Sequence, residues 1–340
     1  MANVINTSLT WSQEDAQKYF LEPLFFENNH LVGMDVITDV SGASILLDRY
    51  TSIVGITKAI NQSSDCFAAD DTRTVNSNVT LTLCRLEVEH AQQSTRLLSH
   101  IKSQFLKKGI SRYDLTGTVF MEIMSSIIMQ GIMRDFSTIL WWGDTVNGAS
   151  GTPQVLCNGV WKALDLAGVA GTLPAGQMLT QGATPTITHL EAMLAARSTE
   201  LATADNQIIY CSRAFADSYA KELRASNGAH TAAYADLQNG VGSLKFNGVS
   251  LVVQNAWDVD IATYHVSLAL MAGGNAPDAA ADTLCAIWTA ENNITVGTDF
   301  LAQDVDMWYN RDCKENRFRM LYSLGVQVKE PKMVVTSIHS

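Results

Sequence analysis

With 340 residues, 47% of them hydrophobic, 22 glycines and 6 prolines, the chain excludes a disordered tail, a collagen-like repeat and a coiled coil, and its length allows about two domains. Charged residues make up only 17%, less than the surface of a lone monomer carries, which points to large buried interfaces. The net charge of 23 − 34 = −11 excludes a chain that wraps nucleic acid as a whole, so any such contact needs a local basic patch.

Six cysteines (Cys66, Cys84, Cys157, Cys211, Cys285 and Cys313) are spread without a CxxC pair, a pattern that predicts free thiols in a reducing compartment. The amino end has no basic stretch followed by an apolar core, so the expected product is cytosolic and carries no membrane anchor.

Residues 1–44 read as an arm, with Ser12 capping a short helix from Gln13 through Tyr19 before Pro23. From Ile45 to His90 the pattern is that of strands around a polar stretch. Val79, Leu81 and Leu83 alternate, and the phase shifts at Arg85 so that Leu86 and Val88 become the apolar members. The predicted form is a long hairpin with a polar tip and a bulge. A long helix follows from about Thr116 to Trp141, with Phe120, Ile123, Met124, Ile127, Ile128, Met133, Phe136 and Leu140 forming one buried stripe. Glu122, Gln130, Arg134 and Asp135 interrupt it too often for a membrane span, and Gly143 in the WWGD sequence ends it.

A short helix is expected at Gly159–Leu166, then a mixed region from residue 186 to 299. It contains a helix from Ile187 to Leu201, a strand at Gln207–Cys211, and a helix capped by Ser212 running to Ala225. Asn247-Gly248 between two apolar runs predicts a tight hairpin. In the last forty residues Phe318, Met320, Tyr322, Leu324, Val326 and Val328 alternate as a strand, and MVVTSI follows a turn at Lys329–Lys332.

Chemistry-bearing motifs are missing where a chain of this length has room for them: there is no GxGxxG, P-loop, GxSxG or HExxH. The expectation is therefore no catalytic, cofactor-binding or metal residue. Asp304, Asp306, Asn310, Asp312 and Glu315 imitate a calcium loop, but Trp308 and Tyr309 stand where the pattern needs Asp or Asn and then Gly, and a solvated turn before a strand is the expected form. Trp141 and Trp142, with the methionines of the long helix, read as core or subunit contacts. The stretch 96–112 carries five basic residues, Arg96, Lys102, Lys107, Lys108 and Arg112, and no acidic one, whereas residues 185–299 hold five Lys or Arg against twelve Asp or Glu. That segregation is either an ordinary solvated face or a surface turned toward polyanion.

The order of parts, the WWGD helix end, the segment NGVWKAL and the stretch ENRFRMLYSLGVQV together resemble the major capsid proteins of tailed bacteriophages. The resemblance implies an α+β fold with an N-terminal arm (1–44), an extended β-hairpin loop (45–90), a peripheral domain with a long spine helix (91–185), an axial α/β domain (186–299) and closing peripheral strands (300–340). It also implies self-assembly into hexamers and pentamers of an icosahedral head. Further implied partners are scaffold, portal and decoration proteins, and packaged double-stranded DNA held non-specifically on the inner face, with assembly in the host cytoplasm and no membrane. Arg96, Lys102, Lys107, Lys108 and Arg112 become the candidate genome-facing residues. No catalytic residue carries over, and the Lys–Asn crosslink that some members form between subunits stays open. Two other readings remain: an encapsulin-like shell protein, which shares the fold but encloses enzymes, and an α/β enzyme whose site assembles from scattered residues.

Overall fold

The structure, a computed structural model, describes residues 24, 29–38, 40, 42–50, 76–93, 119–146, 148, 150–181, 185–225, 244–264, 284–299 and 305–339. In chain order these form β1 (Asp35–Ile37), β2 (Ser44–Tyr50), β3 (Asn76–Thr82), β4 (Cys84–Gln93), α1 (Val119–Trp142), α2 (Val160–Val169), β5 (Met178–Gln181), α3 (Thr186–Ala196), α4 (Thr199–Ala202), β6 (Gln207–Ser212) and α5 (Arg213–Ala225). After them come β7 (Lys245–Phe246), β8 (Val249–Gln254), α6 (Trp257–Tyr264), β9 (Cys285–Ala290), β10 (Ile294–Gly297), β11 (Val305–Asn310), β12 (Glu315–Val328) and β13 (Val334–His339).

Two sheets carry the body. In the first, of order β1-β10-β12-β11, β12 is central: β4 pairs with it antiparallel from Cys84↔Leu324 to Gln93↔Glu315, β11 pairs with its first half and β10 with its last four residues, and β1 runs parallel to β10. The alternation read from the sequence is the inner face of β12, where Phe318, Met320, Tyr322, Leu324, Val326 and Val328 are all buried. The second sheet has the order β5-β13-β9-β6-β8-β7. It is buried on both faces: Ile208, Tyr210, Cys285 and Ile287 point to the core shared with α1, and Ile209, Cys211, Ala286 and Trp288 point to a second core under α3 and α5. Such two-sided burial explains the apolar run Cys285–Trp288 of β9.

Sheet membership does not follow the segments drawn from the sequence. The strand at 294–297, placed with the axial region, joins β12, and the one at 334–339, placed with the peripheral strands, joins the second sheet beside β5 and β9. Short apolar strands carry no mark of their partners, because pairing is decided by tertiary register. The helix expected over Ile187–Leu201 is broken at Arg197, which is extended (φ −61°, ψ 138°), and Ser198 then caps α4 by accepting the Leu201 N–H at 3.1 Å. Arg197 instead lies 4.8 Å over the Trp288 ring and donates to Gln207. The cap predicted at Ser212 and the turn predicted at Asn247-Gly248 are present: the Ser212 hydroxyl accepts the Phe215 N–H, and Asn247 and Gly248 both take positive φ.

α1 spans about 36 Å at 1.5 Å per residue. Its carboxyl half is buried through Ile132, Phe136, Ile139 and Leu140, but Ile127, expected in the buried stripe, is 54% exposed. The helix ends in a crowded junction. Gly143 has no left-handed φ; a Cβ there would lie 2.1 Å from the Cys157 carbonyl oxygen, and one on Gly159 would lie 2.6 Å from the Ile139 oxygen. The Gly159 N–H donates to the Gly143 carbonyl at 2.8 Å, so two backbones touch where side chains cannot fit. Around this contact Trp142 stacks on Trp161 with ring centroids 5.5 Å apart, and Trp257 sits edge-on to Trp141 at 4.8 Å. All four indoles are buried, which makes them core.

Asp144, fully buried, is held by Lys162 Nζ at 3.1 Å, and the same ammonium reaches Asp165 at 3.3 Å. The hydrogen bonds and charges of the two carboxylates raise the Lys162 pKa against the opposing effect of desolvation, which is the largest single influence on it. Replacing Lys162 by Met leaves two buried carboxylates without their cation, and we expect a loss of roughly 3–5 kcal/mol of stability, measured by urea unfolding; a change below ~1 kcal/mol would show that the pair is solvated.

Candidate functional site

β2 and β3 form a two-stranded ribbon with Ser44↔Thr82 at its root and Tyr50↔Asn76 at its far described end. An isolated ribbon of this kind is marginally stable, so its root has to be held by the body. Val40, Leu47 and Leu81 are buried there as a small separate core, with Ile37, Ile45 and Leu83 packed around them. At Leu83 the chain crosses from β2 to β12, and the Leu83 N–H donates to the Ala43 carbonyl at 2.8 Å. The phase shift at Arg85, read as a bulge, is this change of pairing partner: β3 faces β2, whereas β4 faces β12.

The crossing rests on a saddle made by two glycines opposite one another, Gly297 of β10 and Gly325 of β12. A Cβ on Gly297 would meet the Leu81 side chain at 2.3 Å, and one on Gly325 the Thr82 carbonyl oxygen at 2.5 Å. The Gln327 side chain donates to the Thr80 carbonyl at 3.2 Å and ties the ribbon to the end of β12. Gly325 falls on the opposite face of β12 from the alternating apolar residues, so that alternation gives no sequence signal for this saddle.

The candidate genome-facing residues Arg96, Lys102, Lys107, Lys108 and Arg112 lie outside the described residues, as do the predicted arm helix and the polar tip of the hairpin. Residues 305–339 place the imitation calcium loop in a hairpin: β11 and β12 pair from Val305↔Met320 to Asn310↔Glu315, and Asn310 Oδ1 accepts the Asp312 N–H. The strand β11 was not foreseen. Among the described residues no group of three or more His, Cys, Asp or Glu is arranged to hold a metal ion, and no helix is long and apolar enough to cross a membrane. Two of the cysteines expected as free thiols, Cys84 and Cys157, form a disulfide; residues 73 apart in sequence give no sign of their proximity.

The contact between α1 and α6 is acidic. Asp260 is buried, accepts the Thr138 hydroxyl at 3.1 Å, and lies 3.8 Å from the exposed guanidinium of Arg134. Burial outweighs both and pushes its pKa up to about 6. Burial also raises Asp135 on α1 and Asp258 on α6 above the usual carboxylate range. A raised carboxyl pKa means that the folded chain holds the proton more tightly than the unfolded one, so this contribution is complete below about pH 4 and is lost as pH rises through about 6. Asp260→Asn should remove roughly 3 kcal/mol of the fall in stability across that window, read from urea midpoints at stepped pH. Identical pH slopes for both proteins would refute the assignment.

No known family profile matches the sequence, and no curated protein matches it. The fold does have relatives among solved structures. A structure of Mycobacterium phage Ogopogo aligns with a TM-score of 0.58 at 11% identity, covering 92% of this chain and 91% of the other. The capsid of a native GTA particle gives 0.55 at 12% identity, covering 92% and 90%. The capsid of the cyanophage P-SCSP1u gives 0.51 at 10% identity, covering 91% and 86%. The chain has the α+β fold of these phage-type capsid structures.

Proposed function

We propose that the chain is the major capsid protein of a tailed bacteriophage, forming the hexamers and pentamers of a closed icosahedral head around double-stranded DNA. The observation that carries this reading is a fold shared over nine tenths of both chains with subunits of phage-type capsids, one of them a native particle. Physical features agree. A closed shell needs heterologous contacts repeated in slightly different settings. A two-stranded ribbon whose described part is anchored at its root, and a long helix α1 that leaves Ile127 in solvent, offer contact area to neighbouring subunits. The low charge content suits a chain that spends its surface on such contacts. In this reading the protein is structural and not an enzyme, it resides in the virion, and it assembles in the host cytoplasm with scaffold, portal and decoration proteins.

Purified protein, alone and with its scaffold, should give closed shells in negative-stain images and a matching rise in light scattering. Monodisperse monomers under both conditions would sink the proposal. Arg96, Lys102, Lys107, Lys108 and Arg112 are proposed to face the genome, because an interior lined by uniformly anionic subunits repels DNA. Exchanging Lys102, Lys107 and Lys108 for Gln should leave empty shells intact and lower the temperature at which filled ones release DNA; an unchanged release temperature overturns that role.

A further inference from the structure

We propose that Cys84 and Cys157 form a thiol–disulfide exchange site for a low-molecular-weight thiol such as glutathione, and that closing it latches the ribbon root to the body. The bond joins the first residue of β4, directly after the Leu83 crossing, to the residue that precedes Asn158-Gly159 and the start of α2. It therefore crosslinks the ribbon root to the Gly143–Gly159 junction. Both cysteines line a groove of about 670 Å³, walled by Asn78, Thr80 and Thr82 of β3, by Leu166 of α2, and by Thr145 and Asn158 from the connection between α1 and α2. That volume admits a drug-sized or tripeptide-sized molecule. Cys84 is half-buried and open to attack from the groove, whereas Cys157 is 2% exposed. Cys211 and Cys285, by contrast, are thiols buried within strands of the second sheet, and Cys313 is a thiol on an exposed turn.

The oxidant is a small disulfide such as oxidised glutathione. The Cys84 thiolate attacks one of its sulfurs and releases one glutathione. The Cys157 thiolate then attacks Cys84 in the mixed disulfide and releases the second. Two protein thiols are oxidised, one glutathione disulfide is reduced, and the two protons end on the two released thiols. Without the bond, the root depends on the glycine saddle and on Val40, Leu47 and Leu81. With it, the groove wall carrying β3 is fixed to α2. The order of events rests on the shell reading: the pair stays reduced while subunits assemble in a reducing cytoplasm and closes once particles meet an oxidising medium.

The test uses the whole chain. Cells are lysed into maleimide to map the thiols of newly made protein, and purified wild type is mapped after incubation with oxidised glutathione. Wild type and the Cys84→Ser/Cys157→Ser variant are then compared, with and without dithiothreitol, by thermal unfolding and amide hydrogen exchange. We expect both thiols blocked in fresh lysate and a Cys84–Cys157 crosslinked peptide after oxidation. Dithiothreitol should lower the wild-type midpoint by about 5 °C and speed exchange in residues 76–82 roughly tenfold, with no effect on the variant. Two thiols still free after oxidation, or ribbon exchange indifferent to dithiothreitol, would overturn the latch; a crosslink already present in quenched lysate would overturn its timing. Reduction of wild type supplies the answer even if the serine variant misfolds. Exchange on unassembled subunits does not depend on shells, so failure to assemble counts against the capsid reading alone.

Discussion

Two peptide backbones meet at Gly143 and Gly159 with no room for a β-carbon on either, and the rest of the body is arranged around that contact. It sets where the spine helix stops and where α2 begins. The turn between them then places Asp144 and Lys162 close enough to pair out of water. The same crowding brings Trp142 and Trp161 face to face and leaves a slot that Trp257 of α6 fills. Packing of this density is unforgiving of added volume. Small residues, a buried ion pair and large indoles are thus parts of one constraint: the helices approach to backbone contact, and the space beside that contact is filled by the largest side chains available.

From this junction the two sheets diverge, and the amino-terminal segment stitches them together. β1 adds a strand to the first sheet, while the Val32 carbonyl accepts the buried Tyr210 hydroxyl of the second at 2.7 Å and His30 shares a hydrogen bond with Gln254. Leu31 and Met34 enter the common core. What the sequence presents as a thin arm with few apolar residues is therefore in part a core segment. Its apolar side chains are too few to fold alone but sufficient to close gaps between larger elements.

Local features were legible in the sequence because their physics is local. The spine helix, the Ser212 cap, the Asn247-Gly248 turn and the alternation along β12 each follow from spacing or from one residue's backbone preference. The features that hold the ribbon were not. Gly297 and Gly325 matter only because their strands pair, and Cys84 reaches Cys157 only because β4 lies on β12. The helix α6 that carries Asp260 was not foreseen, and nothing near Asp260 in sequence announces burial against Thr138, 122 residues away. The proposed genome-facing residues are a matter of composition, and composition shows that positive charge is concentrated in 96–112 without saying which way it points.

The way β4 leaves the ribbon has a mechanical meaning. A force drawn through the ribbon does not lift one end of a strand from its sheet. A pull along the strand axis passes at Leu83 into a ten-residue antiparallel ladder, from Cys84↔Leu324 to Gln93↔Glu315. Hydrogen bonds loaded sideways yield together, whereas bonds loaded at one end yield in turn. The subunit is thus built to take tension lengthwise, as a rivet line does, and to pass it through β12 to β10 and β11.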